Sequence, residues 1–210
     1  WPDNSVHYIK AVSKATFDSA GTPTRLVGVN YNITEQKNIQ MRLGKEASYD
    51  PLTLLPNRRL ITDRLKQAIA FVERNNKKMA ILFIDLDEFK KVNDVHGHHV
   101  GDWLLVEVST RIQYCLRATD TVGRLGGDEF VVVLLDIDGN AEDVANKIRT
   151  TLKEPFVMDN GVVLNISSSI GVAIYLQDAN NQTMLMECAD KAMYEAKKRG
   201  RNKVVMFADF

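Results

Sequence analysis

A mixed α/β domain, with helices flanking a central sheet and a short β hairpin ahead of it, is the fold class that this sequence predicts. The first reason is Met79-Ala80-Ile81-Leu82-Phe83-Ile84, an unbroken apolar run that suits a central strand covered on both faces. The second is interleaving: beyond Asp50, stretches with apolar residues three and four apart alternate with strand-like runs. The third is the stretch 122–135, which reads as two strands turning through Gly126 and Gly127. Hairpins of that kind make the sheet mixed rather than purely parallel.

In chain order, residues 1–33 alternate in a strand-like way, His7 to Val12 and Leu26 to Tyr31 flanking the turn signal Asp18-Ser19-Ala20-Gly21-Thr22-Pro23. So few strands bury no core of their own. From Thr34 to Ser48 the composition becomes helical, with Thr34 as N-cap and Ile39, Leu43 and Ala47 spaced by four. That thin stripe, interrupted by Gly44, suits pairing with a second copy of itself or a solvated connector. The chain therefore divides into 1–33, a linker helix at 34–49 and one domain at 50–210. Within the domain, a helix at 58–74 carries Leu60, Ile61, Leu65, Ala68, Ile69 and Val72 on one face. Asn93-Asp94 reads as a loop, and a second long helix spans 100–116, its Trp103 and Leu104-Leu105 taken as core. Helices at 141–152 and 183–198 alternate with strands at 162–175 and 203–207.

Composition narrows the function classes. The 27 Lys and Arg balance the 27 Asp and Glu, so the global basic field that holds duplex nucleic acid is absent and a nucleic-acid partner is not expected. Cys115 and Cys188 lie in helix-like apolar context and form no CxxC, which favours small core residues over a disulfide framework or zinc site. No apolar run approaches the ~20 residues of a membrane span. The chain opens on Trp1 in strand-like sequence, so it is expected to be a soluble, cytoplasmic piece of a longer protein, any membrane anchor lying upstream.

The chemistry concentrates at two places. Period two puts Asp85 and Asp87 on one face at the end of the buried strand, and Asp128 and Glu129 follow the two glycines of the hairpin. Carboxylates gathered in this way repel, and a multivalent cation offsets the repulsion. An all-oxygen donor set suits Mg²⁺ or Mn²⁺ with phosphate oxygens completing the shell. Gly126 and Gly127, without Cβ atoms, allow a tight turn and close approach of a nucleotide to the backbone. His96, His98 and His99 form a weaker alternative metal cluster.

Four stretches, "DPLTLLPNRR", "FIDLDEFKKVNDVHGHHVGD", "RATDTVGRLGGDEF" and "ADKAMYEAKKRGRN", stand in the order and spacing of the GGDEF domain, and the chain resembles a diguanylate cyclase from Asp50 onward. "GVNYNITEQK" resembles the end of a PAS sensor domain, whose remainder would lie upstream. The resemblance implies a fold similar to nucleotide cyclases and polymerase palms. It also implies condensation of two GTP into cyclic di-GMP and two pyrophosphates by a homodimer in which each domain presents one GTP. In one place the chain departs from the pattern: Leu54 stands where the first motif usually has glycine.

Carried over residue by residue, the resemblance makes Asp85, the Leu86 carbonyl and Asp128 metal ligands, with Glu129 helping at a second metal, so two Mg²⁺ or Mn²⁺ are expected per site. Asp128 is also the candidate base for the ribose 3′-hydroxyl. An ordinary Asp, with pKa near ~3.9, matches an alcohol poorly, so the metal would do most of the activation. Asn93, His98 and Asp102 fall at the guanine contacts. Phosphates would draw on Lys90, Lys197 and Arg201 and on backbone amides near Asp87 to Phe89, while Gly126 and Gly127 would let the nucleotide lie against the backbone. "KKRGRNK" is equally a cationic helix end with Gly200 as its C′ residue. Arg117 and Asp120 match an RxxD product-inhibition site for cyclic di-GMP, with Arg124 as a third contact; the bland alternative is an i, i+3 surface ion pair. Two other functions compete with the cyclase: a degenerate module that only binds cyclic di-GMP or a partner, and a cyclase of mixed or adenine nucleotides, which Asp102 disfavours.

Overall fold

In the computed structural model, residues 6–39, 48–137 and 140–209 are described. The chain forms two compact units, Trp1–Ala47 and Ser48–Phe210. In the first, β1 (Ile9–Phe17) pairs antiparallel with β2 (Pro23–Asn32), Ile9 opposite Asn32. Asp18 builds the turn, its Oδ1 accepting from the N–H groups of Ala20 and Thr22, both at 2.9 Å. Val12, Leu26, Val29 and Tyr31 are all exposed, so the hairpin has no core of its own. A helical turn covers residues 34–39. Thr34 is not its N-cap as expected. The Asn32 side chain accepts from the Thr34 N–H at 3.0 Å, while the Thr34 hydroxyl accepts from the Tyr8 N–H at 2.9 Å. Leu43, Gly44 and Ala47 of the expected linker helix lie outside the described residues.

The second unit is built on a five-stranded sheet in the order β4-β5-β3-β8-β9. At its centre, all nine residues of β3 (Met79–Asp87) are buried. It pairs antiparallel with β5 (Glu129–Leu135) and β8 (Ser167–Ile174). The edge strand β4 (Thr121–Gly126) is antiparallel to β5, and β9 (Val204–Met206) is parallel to β8, so the sheet is mixed. Strand alternation then sorts the core into two layers. Ala80, Leu82, Ile84 and Leu86 pack with α3 (His98–Cys115) and α4 (Ala141–Lys153). Met79, Ile81 and Phe83 pack with α1 (Arg58–Asn75) and α5 (Gln182–Lys198). Successive side chains of a strand point to opposite faces, which is why one apolar run serves both layers.

Gly171 matters to this arrangement. A Cβ there would run into the backbone of Ala189 and Met193, so its absence lets α5 lie directly on β8. Cys115 and Cys188 are buried free thiols, and Leu104 and Leu105 are core, as expected.

Two further expectations need correction. Asn93 and Asp94 lie within a short helix, α2 (Phe89–His96), rather than a loop. The expected strand at 162–175 is broken: β7 (Val163–Leu164) leaves the main sheet to pair with β6 (Phe156–Val157), and β8 begins only at Ser167. Among the described residues no helix is long and apolar enough to cross a membrane.

Candidate active site

The end of β3 brings the first carboxylate into position. Asp85 is only 7% exposed, and the Lys197 Nζ at the end of α5 lies 2.7 Å from its Oδ2. Burial pushes its pKa up, the Lys197 bond opposes that, and the charges of Asp128 and Glu129 raise it again, to about 6. Glu129 is directly opposite Asp85 in the β3–β5 register, where like charges repel. Arg58 at the start of α1, well exposed, lies 3.9 Å from Glu129 through its Nη2.

Asp128 sits at the turn between β4 and β5, its backbone carbonyl accepting from the Leu86 N–H at 3.4 Å. Gly126 and Gly127 precede it with φ of 142° and 52°, backbone conformations that L-residues avoid. The turn is braced from behind. Arg124 donates through Nε and Nη2 to the Gly127 carbonyl at 3.0 and 2.7 Å, and through Nη1 to both oxygens of Asp50 at 2.9 and 3.1 Å. Asp50 in turn accepts from the Thr53 N–H and hydroxyl at 2.8 and 2.7 Å. Burial pushes the Asp50 carboxyl up, but the Thr53 and Arg124 bonds outweigh it and hold the group below its ordinary value.

That brace relocates one expected residue. Arg124, anticipated as a third contact beside Arg117 and Asp120, has its guanidinium committed to Asp50 and Gly127 instead. Sequence reasoning did not identify Asp50 as its partner; the "DPLT" motif holding it was the available signal. Leu54 lies in a different turn, the one that starts at Asp50, whose carbonyl accepts from the Leu54 N–H at 2.9 Å. The Leu54 φ is 57°, the left-handed region that glycine enters freely, so the position keeps that conformation with a residue that is strained in it.

The other expected residues fall into two groups around this centre. Asn93 on α2 lies against Gly101 of α3, where a Cβ would collide with the Asn93 side chain. His98 and Asp102, four apart, share the exposed face at the start of α3. Lys90 is exposed on α2, and Phe89, at the first position of that helix, is buried. Arg201 follows α5 and lines a cavity of about 690 Å³ with Asp87, Glu88, Lys91 and Asn202.

Arg117 and Asp120 are brought together on a separate cavity of about 390 Å³. They do not form the side-chain ion pair of the bland alternative: Asp120 accepts from the backbone N–H groups of Arg117 at 3.0 Å and Leu135 at 3.3 Å. Among the described residues no three His, Cys, Asp or Glu side chains converge into a metal cage, and this includes the three histidines. The residues present fit a different donor set. A buried carboxylate with raised pKa, acted on by the charges of Asp128 and Glu129 and with a lysine as counter-charge, describes a site that needs donors from a ligand to hold a cation.

Comparison with known proteins agrees with this architecture. The bifunctional diguanylate cyclase/cyclic di-GMP phosphodiesterase MucR of Pseudomonas aeruginosa is 47% identical over 162 residues, covering 77% of this chain and 24% of its own length. Diguanylate cyclase TpbB of the same species is 39% identical over 161 residues, 76% of this chain and 37% of its own. The chain thus spans well under half the length of these relatives. The solved GGDEF domain of TpbB superposes with a TM-score of 0.73 at 38% identity, over 75% of this chain and 93% of that one. The coiled coil and GGDEF domain of DgcB from Caulobacter crescentus, solved with c-di-GMP, gives 0.76 at 25% identity, over 83% and 93%. Residues 47–203, which hold the braced hairpin and the strand-end carboxylate, match the family described as "Diguanylate cyclase, GGDEF domain", and the chain belongs to that family.

Proposed function

We propose that this chain is a diguanylate cyclase that condenses two GTP into cyclic di-GMP and two pyrophosphates. The observation that carries the reading is Asp85, buried and opposed by Asp128 and Glu129 with Lys197 as its counter-charge. Charge of this density at a strand end costs stability, and nothing in a module that only binds a partner requires it. Asp85, the Leu86 carbonyl, Asp128 and Glu129 are the groups that would hold Mg²⁺ or Mn²⁺, two per site. The metal, when bound, would lower the pKa of the 3′-hydroxyl and neutralise charge on the α-phosphate.

The chain's own residues bind and orient. Asn93 and Asp102 suit the donor edge of guanine, with His98 beside them; adenine would leave the Asp102 carboxylate unpaired. Lys197 and Arg201 carry positive charge for the triphosphate, Lys90 adds to it from α2, and the bare backbone at Gly126 and Gly127 leaves room for the nucleotide. The 3′-oxygen of one GTP attacks the α-phosphorus of the other, pyrophosphate departs, and the Asp128 carboxylate takes the proton. Each domain holds one GTP, so two copies must face each other, and positioning is the device that splits the substrates between them.

Three further parts belong to the same reading. Residues 1–33 are the closing strands of a PAS sensor, and 34–49 is a linker helix that pairs with its copy. The whole acts in the cytoplasm. Cyclic di-GMP binds Arg117 and Asp120 as a feedback ligand, its phosphates on the exposed guanidinium. The Arg117→Ala variant is expected to keep its initial rate and lose the slowing seen as product accumulates; equal slowing removes Arg117 from that role.

The test of the function is direct. Incubation with GTP and Mg²⁺ should yield cyclic di-GMP by chromatography, and Asp128→Ala, folded as judged by circular dichroism, should yield none. Absence of product from the wild type as a verified dimer refutes the cyclase reading.

A further inference from the structure

Asp87 is a buried carboxylate for which the chemistry above has no use. It follows Asp85 by two on the same face of β3, is 6% exposed, and meets three donors. Ser169 Oγ donates to its Oδ1 at 2.6 Å, while Ser167 Oγ and the Asn202 backbone N–H donate to its Oδ2 at 2.6 and 3.0 Å. The hydroxyls come from β8, the neighbouring strand. The N–H comes from the turn after α5, which carries the cationic residues.

That turn has an unusual backbone. The Gly200 N–H bonds the Lys197 carbonyl at 3.3 Å and the Arg201 N–H bonds the Ala196 carbonyl at 3.1 Å, closing α5 in a Schellman motif. Gly200 then has φ of 103°, Arg201 of 60° and Asn202 of 47°. Two consecutive non-glycine residues in the left-handed region persist only where their surroundings hold them. Two ties do so here: the Asn202 N–H on Asp87, and Arg149 Nη1 on Asn202 Oδ1 at 3.1 Å. Beyond them the Lys203 carbonyl accepts from Ile170 at 2.9 Å and the chain enters β9.

We propose that Asp87 is a positioning residue for phosphate recognition, holding residues 200–202 in the left-handed turn that presents Arg201 to the cavity beside the β3 end. Adjacent carboxylates of one strand thus divide the work: Asp85 faces Lys197 near the end of α5, and Asp87 anchors the turn that follows. A carboxylate accepts all three donors at once. An amide can replace it, because its oxygen keeps Ser167 and Asn202 while its NH₂ donates to the Ser169 hydroxyl, which can accept. Alanine removes every bond.

The ligand in this inference rests on the GTP reading; the turn rests on geometry alone. The experiment therefore combines hydrogen exchange of the Asn202 amide, read without nucleotide, with titrations of GTP and of guanosine, which lacks phosphates. Asp87→Ala is expected to unprotect that amide and weaken GTP binding about tenfold, the loss of one charge-assisted hydrogen bond, with guanosine unchanged. Asp87→Asn should retain both properties. Should Asp87→Ala fail to fold, Arg149→Ala cuts the other tie and is expected to move the same two readouts by a smaller factor. Parallel weakening of GTP and guanosine, or an Asn202 amide as protected in Asp87→Ala as in the wild type, overturns the proposal. A wild type that binds GTP no better than guanosine refutes the phosphate reading of the site itself, and the exchange comparison then still decides the turn.

Discussion

Asp85 and Leu54 each hold a conformation or charge state that the free residue would not choose. The folded pKa of Asp85, about 6, lies above its ordinary 3.8, so the native state binds more protons between those values. Stability is therefore lost as pH rises through this window, and the full penalty, about 2 to 3 kcal/mol at ~1.4 kcal/mol per unit, is present above it. Asp85→Asn should thus be more stable than the wild type in EDTA at pH 7.5, and the advantage should vanish by pH 4, as urea melts at both values would reveal. An advantage that is equal at both pH values excludes the ionisation as its cause. Leu54 is strained in its left-handed turn and its side chain is 74% exposed, so little packing is at stake. Leu54→Gly is expected to stabilise by up to about 1 kcal/mol, a Tm rise of roughly 2 to 4 °C, whereas Leu54→Val, β-branched, should lower Tm. The reverse order in calorimetry would show that the turn is not strained at this position.

The β4–β5 hairpin presents Asp128 and Glu129 through a turn whose glycines supply flexibility, and the rigidity has to come from elsewhere. The Arg124–Asp50 pair supplies it, with side chains only 10% and 16% exposed and three nitrogens engaged. Removing one partner of such a pair strands the other charge, so Arg124→Ala should cost about 3 kcal/mol and lower kcat, with GTP affinity at Asn93 and Asp102 largely kept. Asp50→Ala should do the same, and the double variant should cost little more than either one. Fully additive losses in a double-mutant cycle would rule out the brace. The sign of the pH effect here is opposite to that at Asp85: a depressed Asp50 pKa contributes stability present above its ordinary value and lost as pH falls through the folded one.

At the scale of the whole molecule, the chain forms two compact units, and the shared-site mechanism proposed for it requires two copies to meet. Specific activity should therefore rise with protein concentration and level off where sedimentation reports dimer. A flat profile across a dilution series that is monomeric by sedimentation would end the shared-site mechanism. The hairpin at the N-terminus has both faces exposed, so it contributes no core to that arithmetic.

By itself the sequence determined what periodicity and spacing can encode. Met79 to Ile84 announced a strand covered on both sides, the stripe of Ile61, Leu65, Ala68 and Val72, spaced by four and three, announced α1, and four spaced motifs named the candidate carboxylates and cations. These are local properties, since burial on one face repeats every two or 3.6 residues. Tertiary structure decided the partners. Arg124 meets Asp50 across 74 residues, and Asp87 meets Ser167, Ser169 and Asn202 across 80, 82 and 115. No local pattern carries such pairings, which depend on the register of β3 against β8 and on where the turn after α5 meets the end of β3. The helix at Asn93 was hidden for a related reason: it has eight residues, begins at a left-handed Glu88 with no side-chain cap, and is held by packing of Phe89 and by the missing Cβ of Gly101. Short helices are marginal alone, so their existence is decided by what they pack against.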